Sequence, residues 1–206
     1  SSLQSGILSG SSIAPEQYDQ ILKNIGYRNL QQAYGMTETS TLNTMVRRDA
    51  DMIRKRSTAG EVLPGVQIRI WNCLEQQEAE CGIPGEIQIR GPYLMKGYYN
   101  MEEQTRKQFL EGGWFRTGDS GWLDETGSLH FQSRLSEMIV RGGENISPSE
   151  IENQIMLCDP SISAVKVVGV PAPIIQEEVV ALVKSDNGSI QEEAVRAYVR
   201  QHLADY

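Results

Sequence analysis

The stretch GWFRTGDSGWLDETGSLHFQSRLSEMIVRGGENISPSEIE, residues 113–152, decides how the rest of the chain is read. It holds two tryptophans, a Thr117-Gly118-Asp119 turn, the isolated Arg134, a Gly142-Gly143 pair and a marked helix start. Leu129 and Phe131 flank His130 in a short strand, and Met138-Ile139-Val140 reads as another. Ser147-Pro148-Ser149-Glu150 has the form of a capping box with proline at N1: Ser147 can accept from the N3 amide and Glu150 can reach back. Ile151 and Ile155 then share one helix face. The pattern changes at Arg134, which marks a boundary between two modules.

Upstream, Pro15 suits a first helical turn, Tyr18, Ile21, Leu22 and Ile25 recur on one helical face, and Gly26 is a fitting stop. Residues 43–58 are polar and basic and read as an exposed loop, a solvated face rather than a phosphate clamp. From Gly60 the period becomes two. Val66, Ile68 and Ile70 alternate with polar residues, Glu75 to Glu80 is a polar turn, and Ile87 and Ile89 mark the next strand. Met101 to Leu110 has helical composition. Short strands with glycine punctuation predict a small barrel-like or strongly twisted sheet between residues 58 and 133. Downstream of Arg134 come two β-rich runs, Ala164–Val170 and Val179–Val183. A second capping box at Ser189-Ile190-Gln191-Glu192 then opens a helix with the stripe Val195, Tyr198, Val199 and Leu203. The order β-α-β-β-α from residue 138 is a small α+β module lacking a closing element, and the chain as a whole is α+β.

Of 206 residues, 39 % are apolar and 22 % charged, ordinary for a globular chain with a real core. A net charge of −8 argues against non-specific binding to nucleic acid or an anionic membrane, although local arginines can still hold a small anion. Cys73, Cys81 and Cys158 are odd in number and lack CxxC spacing, which fits a reducing compartment. His130 and His202 lie too far apart for a zinc motif. No apolar run approaches the ~20 residues of a membrane-spanning helix.

Four constellations carry chemistry. In Tyr34-Gly35-Met36-Thr37-Glu38-Thr39 the glycine allows close backbone approach, Thr37 and Glu38 are hard oxygen donors suited to Mg²⁺ and phosphate, and Tyr34 can stack on a flat ring. A glycine turn followed by a Thr-capped segment accounts for the same residues. Asp119 on its glycine turn can accept from two neighbouring hydroxyls, such as a ribose diol, or close a hairpin as an Asx turn. Arg134 can reach a carboxylate, ribose or phosphate, or form a surface ion pair. Arg141-Gly142-Gly143-Glu144-Asn145 offers close backbone approach or a simple tight turn before a helix.

YGMTE, GWFRTGD and SRLSEMIVRGGENISPSEIE, in that order and spacing, resemble the adenylate-forming superfamily of acyl-CoA synthetases, firefly-type luciferases and peptide-synthetase adenylation domains. SGSSIAPE, GYYN…T and the RGGENISP form look most like the fatty-acyl-CoA synthetase branch. The resemblance covers nearly the whole chain. It implies that residues 1–133 are the C-terminal part of the large AMP-binding domain, 134–137 a hinge, and 138–206 an incomplete small α+β domain. It implies that Gly10, Ser11 and Ser12 lie against adenine and that Tyr34, followed by Gly35 and Met36, packs on it. Thr37 would contact the α-phosphate, and Glu38 would serve Mg²⁺. Asp119 and Arg134 would hold the ribose, Glu137 would mark the hinge, and Gly142 and Gly143 would line the pantetheine tunnel.

The implied reaction joins a carboxylic acid to ATP as acyl-adenylate, then to CoA, with Mg²⁺, in the cytoplasm. Small-molecule acid, ATP and CoA are the expected partners, together with self-association through exposed large-domain surface. The family's Gly/Ser/Thr-rich phosphate loop and its catalytic lysine are expected beyond Ser1 and Tyr206 respectively, so the chain is expected to be an internal piece, inactive alone. Departures from the pattern are Ser133 for glycine, Ser136-Glu137 for Lys-Asp, and Ala172 and Gln176 for aspartate and glycine. Two other readings remain: an aryl-acid ligase or peptide-synthetase adenylation domain, and a non-catalytic chain that binds nucleotide or a partner.

Overall fold

In the computed structural model, which describes residues 2–186, 188 and 190–203, strand β1 (Ser5–Leu8) leads into helix α1 (Pro15–Ile25) and returns as β2 (Asn29–Tyr34), parallel to β1. The helix forms where the apolar spacing places it. Its buried Tyr18 donates its hydroxyl to the Leu30 carbonyl at 2.6 Å, which fastens helix to strand. Residues 43–58 are more ordered than a loop. They contain β3 (Thr44–Met45) and α2 (Met52–Ser57), the latter capped by Asp51, whose carboxylate accepts from the Arg54 amide at 2.9 Å. No apolar period announces α2 because it buries none of its residues. Its arginines face outward in ion pairs, Arg56 with Asp19 at 3.1 Å and Arg54 with Glu61 at 3.8 Å.

The chain continues through β4 (Gly60–Val62), β5 (Gln67–Asn72), β6 (Gln77–Glu78), β7 (Gly85–Arg90), α3 (Glu102–Gln108), β8 (Phe115–Leu123) and β9 (Ser128–Arg134). The nine strands form one sheet in the order β1-β2-β3-β4-β9-β8-β7-β5-β6. It is an open sheet with β1 and β6 as edges, so the barrel-like expectation resolves without closure. It is nonetheless strongly curled. Four strand spacings separate β2 from β8, about 19 Å in a flat sheet. Yet the Tyr34 hydroxyl on β2 donates to Asp119 Oδ2 on β8 at 2.8 Å. The concave side gathers Tyr34, Val66, Ile70, Ile87, Ile89 and Leu129 into the core, with Phe131 packed against them.

The polar face of β7 is covered as well. Glu86 and Gln88, which alternation would leave exposed, are 2 % and 1 % exposed. Arg116 Nε donates to both Glu86 oxygens at 3.1 and 3.0 Å, Gln88 donates to Glu86, and Arg69 donates to Gln88. Above them the Arg69 guanidinium sits 4.5 Å from the Trp71 ring and 4.4 Å from that of Trp114, a cation–π sandwich that roofs the network.

Residues 1–132 and 133–206 are two compact units. The second has β10 (Ile139–Arg141), β11 (Glu144–Ile146), α4 (Pro148–Cys158), β12 (Ile162–Ala172), β13 (Gln176–Ser185) and α5 (Glu192–His202), with sheet order β11-β10-β13-β12. The order is therefore β-β-α-β-β-α, since Gly142-Gly143, at φ of 60° and 89°, is the two-residue turn of a β10–β11 hairpin. Ile139, Ile146, Ile151, Ile155, Ile162 and Val167 make its core, joined by Val195, Val199 and Leu203 of α5. Helix α4 starts at Pro148, but the capping box does not form: the Ser147 hydroxyl pairs with that of Ser149 at 3.0 Å instead. Ser189, the first residue of the second expected box, lies outside the described residues, and α5 begins after Gln191.

Asp124 closes the β8–β9 hairpin. Its Oδ1 accepts from the amides of Thr126 and Ser128 and the Thr126 hydroxyl, and its Oδ2 from His130 Nε2 at 3.0 Å. Burial alone would raise this carboxyl, but the hydrogen bonds from Thr126, His130 and the backbone outweigh it and hold it down to about 2. A depressed carboxyl stabilises the fold above its unfolded value near 3.8 and loses that contribution as pH falls through about 2. Asp124→Asn should therefore cost up to about 2 kcal/mol at neutral pH. The gap to the wild type should narrow as pH falls from about 4 towards 2, read by urea denaturation at a series of pH values.

Candidate functional site

Thr117-Gly118-Asp119 is an irregularity inside β8. The register with β7 passes from Gln88↔Arg116 to Glu86↔Ser120, so β8 carries extra residues there. Such a bulge re-aims side chains. Gly118 takes φ of 72°, a left-handed value that favours glycine. The Thr117 hydroxyl repairs the ladder, donating to the Ile87 carbonyl at 2.7 Å and accepting from the Asp119 amide at 3.0 Å. The outcome is a carboxylate only 2 % exposed, held by the Tyr34 phenol. The Asx turn that closes this hairpin is formed by Asp124.

Tyr34 is the last residue of β2. Its ring is 7 % exposed and stacks on Phe131 with centroids 5.9 Å apart, so most of it already packs in the core. Gly35 follows because nothing larger fits: a Cβ there would overlap the Thr41 carbonyl. The chain then makes one turn of 3₁₀ helix over Thr37–Thr39. Ser40 and Thr41 continue it at φ of 57° and 79°, a left-handed pair that is costly for a β-branched threonine, about 1–3 kcal/mol each. The turn persists because its surroundings over-determine it. Thr41 N donates to Met36 O at 3.0 Å, Thr39 Oγ1 donates to the same carbonyl at 3.1 Å, and the buried Asn43 donates to Thr39 Oγ1. Thr37 is exposed, whereas Glu38 is half-buried, its Oε1 accepting from the Tyr98 hydroxyl at 2.9 Å.

Gly10, Ser11 and Ser12 are exposed on the connection from β1 to α1. Since β1 and β2 are adjacent and parallel, this connection and the Gly35–Thr39 turn leave the sheet at the same, carboxyl, end. In open α/β sheets ligands sit beyond the carboxyl ends of parallel strands, and β1 and β2 are such a pair. The first unit thus brings Tyr34, which leads into the Gly35–Thr39 turn, onto Asp119, with residues 10–12 leaving by the same end as that turn. The other predicted residues belong to the second unit. Arg134 is exposed at the end of β9. Glu137 is exposed and 3.4 Å from Lys166, which also pairs with Glu152 at 3.2 Å. Gly142 and Gly143 form the exposed hairpin turn, where their amides donate to the Ile175 carbonyl and to Gln176 Oε1.

Tyr98 and Phe131 were given no role by the motifs that contain them. The repeated aromatic of Gly97-Tyr98-Tyr99-Asn100 was the visible signal for the first. Nothing local marked the second, whose partner lies on another strand.

Among the described residues no cluster of three or more His, Cys, Asp or Glu could hold a metal unaided. Glu38 and Thr37 offer hard oxygens, which suits Mg²⁺ shared with substrate phosphates, since that ion keeps water and takes one or two carboxylates. The acceptor-only carboxylate of Asp119 suits a diol.

The family described as AMP-binding enzyme matches residues 1–99. YngI of Bacillus subtilis (strain 168), an acyl-CoA synthetase by its name, is 37 % identical over 99 % of the chain. The mitochondrial medium-chain acyl-CoA ligase ACSF2 of Bos taurus is 31 % identical over all of it. The chain spans 37 % and 34 % of those two relatives. Among solved structures, ATP-bound MatB from Rhodopseudomonas palustris superposes with a TM-score of 0.86 at 34 % identity, over 97 % of this chain and 39 % of that one. The o-succinylbenzoate CoA synthetase MenE of Bacillus subtilis, in complex with the acyl-adenylate OSB-AMP, gives 0.87 at 29 %, over 98 % and 40 %.

The Tyr34–Asp119 bond is a long-range tie of measurable size. A double-mutant cycle of Tyr34→Phe and Asp119→Ala, followed by chemical denaturation, should show a coupling of about 1 kcal/mol or more, as for a buried hydrogen bond to a charged group. Additive effects would mean that the bond contributes nothing.

Proposed function

The chain belongs to the AMP-binding, adenylate-forming enzyme family, and from that premise we propose that the full-length protein carrying it is an AMP-forming acyl-CoA synthetase. It would activate a carboxylic acid with ATP, release pyrophosphate, and pass the acyl group from AMP to CoA. The observation that carries this reading is the buried Asp119 carboxylate, aimed by a β-bulge and held by Tyr34 at the head of the turn bearing Thr37 and Glu38.

Each group has a task suited to its chemistry. Asp119 accepts from the ribose hydroxyls, and Arg134 adds a donor to the same sugar. The edge of Tyr34, with Gly35, Met36 and residues 10–12, borders the adenine. Thr37 donates to the α-phosphate, where negative charge builds during attack by the acid, and Glu38 takes Mg²⁺. When bound, Mg²⁺ offsets phosphate charge and makes pyrophosphate a better leaving group. Preoriented donors of this kind stabilise charge developing in the transition state.

Residues 134–137, with Glu137, are the joint on which the second unit turns between the two half-reactions, bringing Gly142-Gly143 to the pantetheine arm of CoA in the second. On this reading, residues 1–133 and 138–206 are the end of the large domain and most of the small one. A fatty acid is the proposed substrate because YngI and ACSF2 match along essentially the whole chain. An aryl acid is the second reading, favoured by the likeness to MenE.

Two measurements test this. The full-length protein should catalyse acid-dependent ATP–pyrophosphate exchange, with a medium- or long-chain fatty acid preferred over an aryl acid, and no exchange with any acid would refute the assignment. The present chain should bind AMP weakly, and Asp119→Ala should weaken that binding at least about tenfold, the size expected from charged hydrogen bonds. Unchanged affinity would remove Asp119 from the site.

A further inference from the structure

The Gly97-Tyr98-Tyr99-Asn100…Thr105 motif has no part in the function derived above, yet the segment that carries it, from Tyr93 onward, is tied to residues 38–40 at three points. The Met95 amide donates to the Glu38 carbonyl at 2.8 Å, the Ser40 hydroxyl to the Tyr93 carbonyl at 2.7 Å, and the Tyr98 hydroxyl to Glu38 Oε1 at 2.9 Å. The first holds the backbone of the turn and the second the side chain of Ser40, which with Thr41 is in strained geometry. The third holds the carboxylate itself. Tyr98 is in turn fixed from behind. Its amide donates to Thr105 Oγ1 at 2.9 Å, and that hydroxyl donates to the Met101 carbonyl at 3.0 Å, at the start of α3. A line of hydrogen bonds thus runs from α3 through Thr105 and Tyr98 to Glu38.

We infer that Tyr98 is a positioning residue that fixes the rotamer of Glu38 for Mg·ATP, with Thr105 seating Tyr98. Glu38 has several rotatable bonds, and one phenol on one oxygen selects a single orientation and leaves the other oxygen to face the metal. Partners that orient a ligating carboxylate typically govern metal affinity by about 10–100-fold. The inference rests on the role proposed above for Glu38, and its signature is a dependence on metal that general loosening would not produce.

The experiment compares Mg·ATP with metal-free ATP binding by calorimetry on the full-length protein and its Tyr98→Phe variant. Phenylalanine keeps the ring and removes only the hydroxyl. The ratio of the two affinities should fall about tenfold in Tyr98→Phe, while metal-free ATP affinity and melting temperature stay near those of the wild type. Glu38→Gln should lower the ratio as well, and adding Tyr98→Phe to it should lower it no further. Thr105→Ser, which keeps the hydroxyl, should retain the wild-type ratio. An unchanged ratio in Tyr98→Phe, or losses that multiply in the double variant, would overturn the inference. If the wild type binds Mg·ATP but exchanges pyrophosphate with no acid, the synthetase assignment falls alone, because the ratio still reads Glu38. A wild type whose ATP binding is indifferent to Mg²⁺ overturns the inference.

Discussion

The phenol of Tyr34 and the carboxylate of Asp119 meet at 2.8 Å from positions 85 residues apart, inside a sheet that would hold them far apart if flat. Much of the first unit is arranged to permit this contact. The sheet must curl, which concentrates its apolar side chains on the concave face, where Ile87, Ile89 and Leu129 share one core with the tyrosine and Phe131 stacks on its ring. Strand β8 must depart from its register to turn Asp119 inward, and Thr117 must then supply the hydrogen bonds that the ladder lost. A buried carboxylate without a donor would be costly. The curl and the bulge are therefore mutually dependent: either alone would leave Asp119 facing a strand neighbour or Tyr34 reaching for nothing.

Several elements could be read directly from the residues. The helix at Pro15 and the strand pair around Ile68 and Ile87 both follow from apolar periodicity and breakers, because in each case burial on one face decides the local structure. Helix α2 could not be found this way, since it buries nothing and depends on Asp51 at its cap. The buried polar face of β7 was hidden for a different reason. Alternation predicts which side chains point away from the core, but whether that side is wet depends on Arg69 lying between Trp71 and Trp114, a contact between β5 and the residue before β8. Strand β11 is not legible because Glu144-Asn145-Ile146 is too short to carry a period, although the strand at Ile139 and the Gly-Gly turn before it are.

For the candidate site the division is similar. Motif chemistry picked out Tyr34, Glu38 and Asp119, and the structure places the first and last in contact. The sequence alone left the Thr117-Gly118-Asp119 run open between a hairpin turn and a displayed carboxylate, because both need glycine beside aspartate. The distinction rests on partners far along the chain, the Ile87 carbonyl for Thr117 and the Tyr34 phenol for Asp119, which no local pattern encodes. The hairpin turn was instead supplied by Asp124, five residues further on, whose carboxylate collects the amides of Thr126 and Ser128.

The two ends of the proposed nucleotide site are held by different means, and the difference bears on how such a site works. Asp119 is fixed by burial, in a position that can change only if the curl of the sheet changes. Glu38 lies on a half-buried turn that spends conformational strain at Ser40 and Thr41 and is restrained by a segment packed over it. A sugar that stays put through two half-reactions needs a rigid acceptor. In the role proposed for Glu38, a metal that arrives with ATP and leaves with pyrophosphate would need a carboxylate oriented when required and open to water between turnovers. Burying Glu38 as deeply as Asp119 would desolvate its charge and close the route for the metal. Leaving it unrestrained would spend binding energy on ordering it in every cycle. A single phenol on one oxygen would be an intermediate solution, and the proposed role gives a reason for tying the turn to the Tyr98 segment although 60 residues separate Glu38 from Tyr98.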